Sequence, residues 1–109
     1  MNTKQIHDEH TKRIALKPDK IGLTNILLAT GEVNLFSNGK VVSQPDNLLF
    51  DPTTKILYNI EYKCKDGKSQ SNHAQYQLNK ANILLKSIFR DFEIRNLYIH
   101  DDYRIEVPK

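Results

Sequence analysis

The chain has 109 residues, 39% of them hydrophobic and 27% charged, an ordinary globular composition that fits one domain, since chains below about 150 residues rarely divide into two cores. No apolar run approaches the roughly 18 residues needed to span a bilayer, which excludes a membrane-spanning helix, and the polar start MNTKQIHDEHTKR has no apolar stretch of the secretory kind. A single cysteine cannot form an internal disulfide, so a reducing cytoplasm is the expected compartment, and the net charge of +3 permits a polyanionic partner without requiring one.

In chain order, Lys4 to Leu16 reads as a polar helix ended by Pro18, and Ile21 to Thr30 as a short apolar helix with Gly31 as its stop. Val33 to Phe36 reads as a strand, Asn38-Gly39 as a tight turn, and Val41-Val42 as the return of a hairpin. A further strand, Asn47 to Phe50, meets the turn Asp51-Pro52-Thr53-Thr54-Lys55 and then the strongest strand signal, Ile56 to Lys63. From about Asn72 to Phe89, residues Ala74, Leu78, Ala81, Leu85 and Phe89 recur at helical spacing and mark one long helix. Leu97 to His100 and Tyr103 to Val107 are two extended segments around Asp101-Asp102. The order α, β, β, β, α, β, with room for one more strand, predicts an α/β fold with helices packed on a mixed sheet.

Ile56, Tyr58, Ile60 and Tyr62 share one face of their strand, while Asn59, Glu61 and Lys63 share the other. An acid and a lysine on one face of a central apolar strand are costly to bury, so their presence needs a reason. Closing the hairpin over Asp51 to Lys55 sets Asp46 directly or diagonally opposite Glu61. Two carboxylates and one ammonium then meet. Hard divalent cations such as Mg²⁺, or Mn²⁺ in its place, bind through one or two carboxylates plus waters and leave positions open for phosphate oxygens. A lysine beside the metal can orient or help deprotonate the attacking water and offset charge developing on phosphorus.

This arrangement resembles the PD-(D/E)XK nuclease superfamily, whose motif appears here as Pro45-Asp46 and, fifteen residues on, Glu61-Tyr62-Lys63. Context separates the motif from its look-alikes: Asp66-Gly67-Lys68 has the spelling of a turn, and Pro18-Asp19 sits between helical segments. The resemblance implies a restriction-endonuclease-like αβββαβ core, a mixed sheet flanked by helices, over roughly Gly31 to Tyr98. It implies metal contacts from Asp46, Glu61 and Tyr62, a catalytic Lys63, and a glutamine early in the second helix, for which Gln77 is the first choice and Gln75 the second. It also implies an acid from the first helical region, where Glu32 competes with Asp8 and Glu9. The implied activity is Mg²⁺-dependent hydrolysis of phosphodiester bonds in DNA by metal-activated water.

Each of these residues also has a plainer role. Asp46 can be a turn residue, Glu61 and Lys63 a surface pair, and Gln77 a solvated helix residue. His7 and His10 lack a metalloprotease spacing and read as surface histidines, His73 as a capping or solvated residue, and Cys64 as a small apolar filler. Lys63, Lys65 and Lys68 suit a nucleic-acid backbone. Small dimeric resolvases in the same superfamily suggest a homodimer, with Ile83, Leu84 and Ile88 as interface residues. The rival expectations are a nucleic-acid-binding module of the same fold without turnover, and an accessory protein in which Glu61 and Lys63 are purely structural.

Overall fold

The computed structural model describes residues 2–101 and 103–106; Asp102 and Val107, which the sequence reading includes, lie outside them. Helix α1 (Thr3–Leu16) opens with a reciprocal cap: the Asn2 side chain accepts from the Gln5 backbone N–H and the Gln5 side chain accepts from that of Asn2. The strands follow as β1 (Leu28–Ala29), β2 (Leu35–Ser37), β3 (Lys40–Ser43), β4 (Asn47–Asp51) and β5 (Ile56–Lys63). Helix α2 (Lys68–Ile88) then crosses to β6 (Glu93–His100), and β7 (Arg104–Glu106) completes the sheet.

Five strands form one mixed sheet in the order β1-β4-β5-β6-β7. All neighbours are antiparallel except β5 and β6, which pair in parallel over eight residues because α2 returns the chain to the same end of the sheet. Among the described residues no helix is long and apolar enough to cross a membrane.

β5 is buried on both faces. Ile56, Tyr58, Ile60 and Tyr62 pack with Ile14 of α1, Ile21, Leu49, Leu97 and Ile99, while Leu57 joins Leu48, Ala81 and Leu85 under α2. This is the face alternation expected from the strand period. Asn59 fixes α2 over the sheet: its side-chain amide donates to the Leu78 carbonyl at 3.1 Å and to Asn96 Oδ1 at 2.9 Å. On the opposite face Asn47 ties β4 to α1 and to the segment before β2, donating to the carbonyls of Thr11 and Thr30.

Four expected elements differ. Ile21 to Thr30 is not a helix: a 3₁₀ turn, Pro18–Ile21, ends at Gly22, whose φ of 78° is left-handed, and the chain then runs along β4. The Leu27 and Thr30 N–H groups donate to the Phe50 and Leu48 carbonyls, so sheet pairing took an apolar run that periodicity alone cannot assign. The hairpin β2-β3 is a separate two-stranded sheet rather than part of the main one. Finally, α2 starts at Lys68 and β6 at Glu93, each four residues earlier than expected.

Candidate active site

β4 enters the sheet at Pro45-Asp46. The ladder of β4 with β5 ends at the pair Asn47 and Ile60; Asp46, just before it, donates its N–H to the same Ile60 carbonyl at 3.1 Å, which leaves Asp46 diagonal to Glu61 rather than paired with it. The Asp46 side chain turns back on the neighbouring strand, where its Oδ2 accepts from the Tyr62 N–H at 2.7 Å. The carboxylate thus replaces the ladder acceptor that β4 would otherwise supply. A strand residue presents its N–H and C=O to the same edge, so the Tyr62 carbonyl also faces the Asp46 side. The Tyr62 ring lies in the α1-facing core and its hydroxyl donates to the Asp101 carbonyl, so only the main chain of Tyr62 can serve a cation here.

Glu61 and Lys63 project together on the α2 face, with Lys63 Nζ 3.5 Å from Glu61 Oε1. Asp46 and Glu61 are 5% and 7% exposed, which makes them costly as a doubly ionised pair. Burial first, and the Asp46 charge second, push the Glu61 carboxyl up to about 8 against the opposing pull of Lys63 and His7. Both causes favour the protonated form of Glu61 over that of an ordinary glutamate.

α2 runs antiparallel to β5 and is pinned to it by the bond from Asn59 to Leu78. At about 1.5 Å per helical residue and about 3.3 Å per strand residue, two steps along β5 match about four along α2. Ala74 is then level with Glu61, and Gln70 with Lys63. The methyl side chain of the fully buried Ala74 leaves room for the glutamate beneath the helix.

Two residues that sequence reasoning missed stand here. His7 of α1 places Nε2 3.3 Å from Asp46 Oδ2 and is half-buried rather than a surface histidine; the hydrogen bond to Asp46 raises its pKa despite burial. The available signal was its spacing with the buried Thr11 and Ile14, which puts all three on one helical stripe. His10 also turns inward, stacking on Tyr62 and bonding the Tyr103 hydroxyl at 2.9 Å. The second missed residue is Gln70. It lines a cleft of about 670 Å³ together with Lys4, His7, Lys63 and Lys65, and was hidden because α2 begins without a side-chain cap and reads as loop until Asn72.

The expected glutamines sit elsewhere. Gln77 Nε2 is 3.5 Å from His73 on α2 itself, and Gln75 donates to Asn79. Glu32 is exposed and lines a separate cleft of about 400 Å³ with Lys4, Asp8 and Lys12. Asp8 pairs with Lys4 and approaches His7, while Glu9 is exposed. The element nearest Asp46 thus contributes a histidine where the resemblance implies an acid. Cys64 packs partly buried against the α1-facing core, as expected for a small apolar role. No known protein family, curated protein or solved structure matches the chain.

Proposed function

We propose that this chain is a Mg²⁺-dependent nuclease of the PD-(D/E)XK type acting on phosphodiester bonds in DNA. The observation that carries the reading is the convergence of two buried acids from adjacent strands with a lysine 3.5 Å from one of them, beside a cleft lined by further cationic side chains. The path of the chain supports it: α1, the antiparallel trio β1-β4-β5, α2, then β6 parallel to β5 is the αβββαβ order of a restriction-endonuclease-like core, with β2-β3 as an insertion.

The donor set fits a hard divalent cation: Asp46 and Glu61 offer carboxylate oxygens, the Tyr62 carbonyl faces the same edge, and the raised Glu61 pKa reflects two acids held close in a buried place. Bound Mg²⁺ supplies an acidified water and Lewis-acid stabilisation of the phosphoryl oxygens. Glu61, its proton lost to solvent, would be the second carboxylate ligand beside Asp46. Lys63, 3.5 Å from Glu61, would orient the attacking water and offset the charge that grows on phosphorus. Lys4 and Lys65 hold the backbone phosphates, and Gln70, in the same cleft, orients the scissile group. The exposed Ile83, on the side of α2 away from the sheet, and the exposed Ile88, the last residue of the helix, are apolar groups that suit a homodimer contact.

One observation favours a second reading, a nucleic-acid-binding protein of the same architecture without turnover: His7 occupies the position beside Asp46, and Glu32 lies in another cleft. A cleavage assay with Mg²⁺ and Mn²⁺ on duplex, single-stranded, flap and four-way-junction DNA separates the two. Metal-dependent products that vanish in Lys63→Ala support the nuclease; DNA binding without products in either metal supports the alternative.

A further inference from the structure

A second group of ligating side chains lies where the loop after β5 meets the β6-β7 hairpin. One nitrogen of His100 and one carboxylate oxygen from each of Asp66 and Glu106 lie within 4.8 Å of one another. His100 closes β6, pairing with Lys63 on one side and Arg104 on the other, and its side chain is only 6% exposed. Its Nδ1 is 2.8 Å from Asp101 Oδ2. A carboxylate only accepts, so Nδ1 carries the proton in that contact, and in the neutral imidazole Nε2 keeps its lone pair. Nε2 is shielded from solvent and has no hydrogen-bond partner among the described residues; Glu106 Oε1, at 3.6 Å, is too far to be one. Leaving such an atom unpaired is costly unless something else binds it.

The surroundings supply what a metal ligand needs. A ligating histidine commonly donates its other ring N–H to a carboxylate, as His100 does to Asp101. The Tyr98 hydroxyl donates to Asp66 Oδ1 at 2.9 Å and fixes that carboxylate in turn. We propose that Asp66, His100 and Glu106 bind a divalent transition-metal ion of the Zn²⁺ type, with Asp101 and Tyr98 orienting the ligands. One imidazole nitrogen and two carboxylate oxygens suit Zn²⁺ better than Mg²⁺, which prefers all-oxygen surroundings. Three protein ligands close only part of a tetrahedral shell, so a water or a substrate atom completes it. The ion ties the loop preceding α2 to the last strand of the sheet, next to Lys63 in the β5-β6 ladder. It shares no ligand with Asp46 and Glu61, so it stands independently of the proposed nuclease activity.

The test uses the full chain carrying Glu61→Gln, which removes an acid of the first site and none of the second. Zn²⁺ titration calorimetry, with Co²⁺ absorption as the spectroscopic reporter, should show a single ion per chain with a nitrogen ligand. Asp66→Asn and Glu106→Gln change exposed side chains, so the fold should survive, and each should weaken Zn²⁺ binding by at least about tenfold. In the otherwise unaltered chain those two changes should leave the Mg²⁺ response of Asp46 and Glu61 intact. The proposal is overturned if Glu61→Gln abolishes Zn²⁺ uptake, which would return the ion to the first site, or if Asp66→Asn and Glu106→Gln bind Zn²⁺ as tightly as their parent.

Discussion

Glu61→Gln keeps the shape of a side chain enclosed beneath α2 and removes its charge. Burial and the Asp46 charge push the Glu61 carboxyl up to about 8 from its ordinary value of 4.5. Between those values the folded chain keeps a proton that the unfolded chain has released. The folded state then binds more protons, so stability falls as pH rises through this window. Each tenfold change is about 1.36 kcal/mol, and the span from 4.5 to about 8 corresponds to a loss on the order of 4–5 kcal/mol. His7 acts with the same sign, because its pKa is raised by Asp46 and its contribution is lost as pH rises through that raised value. Glutamine does not titrate. With chelator present, wild type and Glu61→Gln should have similar stability below about pH 4.5 and diverge steadily above it, until at about pH 8 the variant melts some 15–20 °C higher. Millimolar Mg²⁺ should narrow or reverse that gap, because only the wild type gains the binding free energy. Circular dichroism melts across pH, with chelator and with Mg²⁺, measure both effects. Parallel pH profiles for the two proteins in chelator, or equal stabilisation of both by Mg²⁺, would refute the idea of a buried acid pair awaiting a cation.

Lys63→Ala should abolish DNA cleavage with the fold and most DNA affinity intact, and Lys63→Arg should also fail, since a bulky planar guanidinium cannot shuttle a proton; near-normal turnover by either argues against a specific lysine role. Lys65→Ala should weaken DNA binding uniformly across sequences and reduce the slope of log affinity against log salt by about 1, measured by fluorescence anisotropy. Gln70→Ala, at the level of Lys63, should lower turnover more than Gln77→Ala, whose side chain contacts His73 instead; single-turnover rates rank the two. Leu57→Ala, in a fully buried position under α2, should cost about 2–5 kcal/mol in urea unfolding at any pH, with or without metal.

The hairpin that assembles the acids was legible because its information is local. Alternation along Ile56–Lys63 set the faces, and the Asp51 turn, whose side chain accepts from the Thr53 and Thr54 N–H groups, set the register that runs from Asp51 with Ile56 to Asn47 with Ile60 and leaves Asp46 at its end, diagonal to Glu61. Ile21–Thr30 was not legible, because its apolar residues are read out by β4 and no local rule separates a short buried helix from a segment laid along a strand. His7 and Gln70 were hidden for a related reason. Their importance comes from where α1 and α2 dock on the sheet, and docking depends on distant partners such as Asn47 to Thr11 and Asn59 to Leu78. The cluster of Asp66, His100 and Glu106 draws on a loop and two strands with no common spacing, so no motif spells it.

The hairpin β2-β3 has a practical consequence. It leaves the main sheet after β1 and rejoins it at β4, its tip Asn38-Gly39 is exposed, and both tip residues have positive φ suited to a tight two-residue turn. No strand of the five-stranded sheet takes its register from it. Lengthening such a surface turn costs only about 0.6 kcal/mol per doubling of a flexible loop, so this tip is the place to graft a fluorophore sequence, an immobilisation tag or a DNA-targeting peptide. A chain labelled there can be used to test the proposed binding and turnover while the strands that carry Glu61 and Lys63 and adjoin Asp46 stay in register.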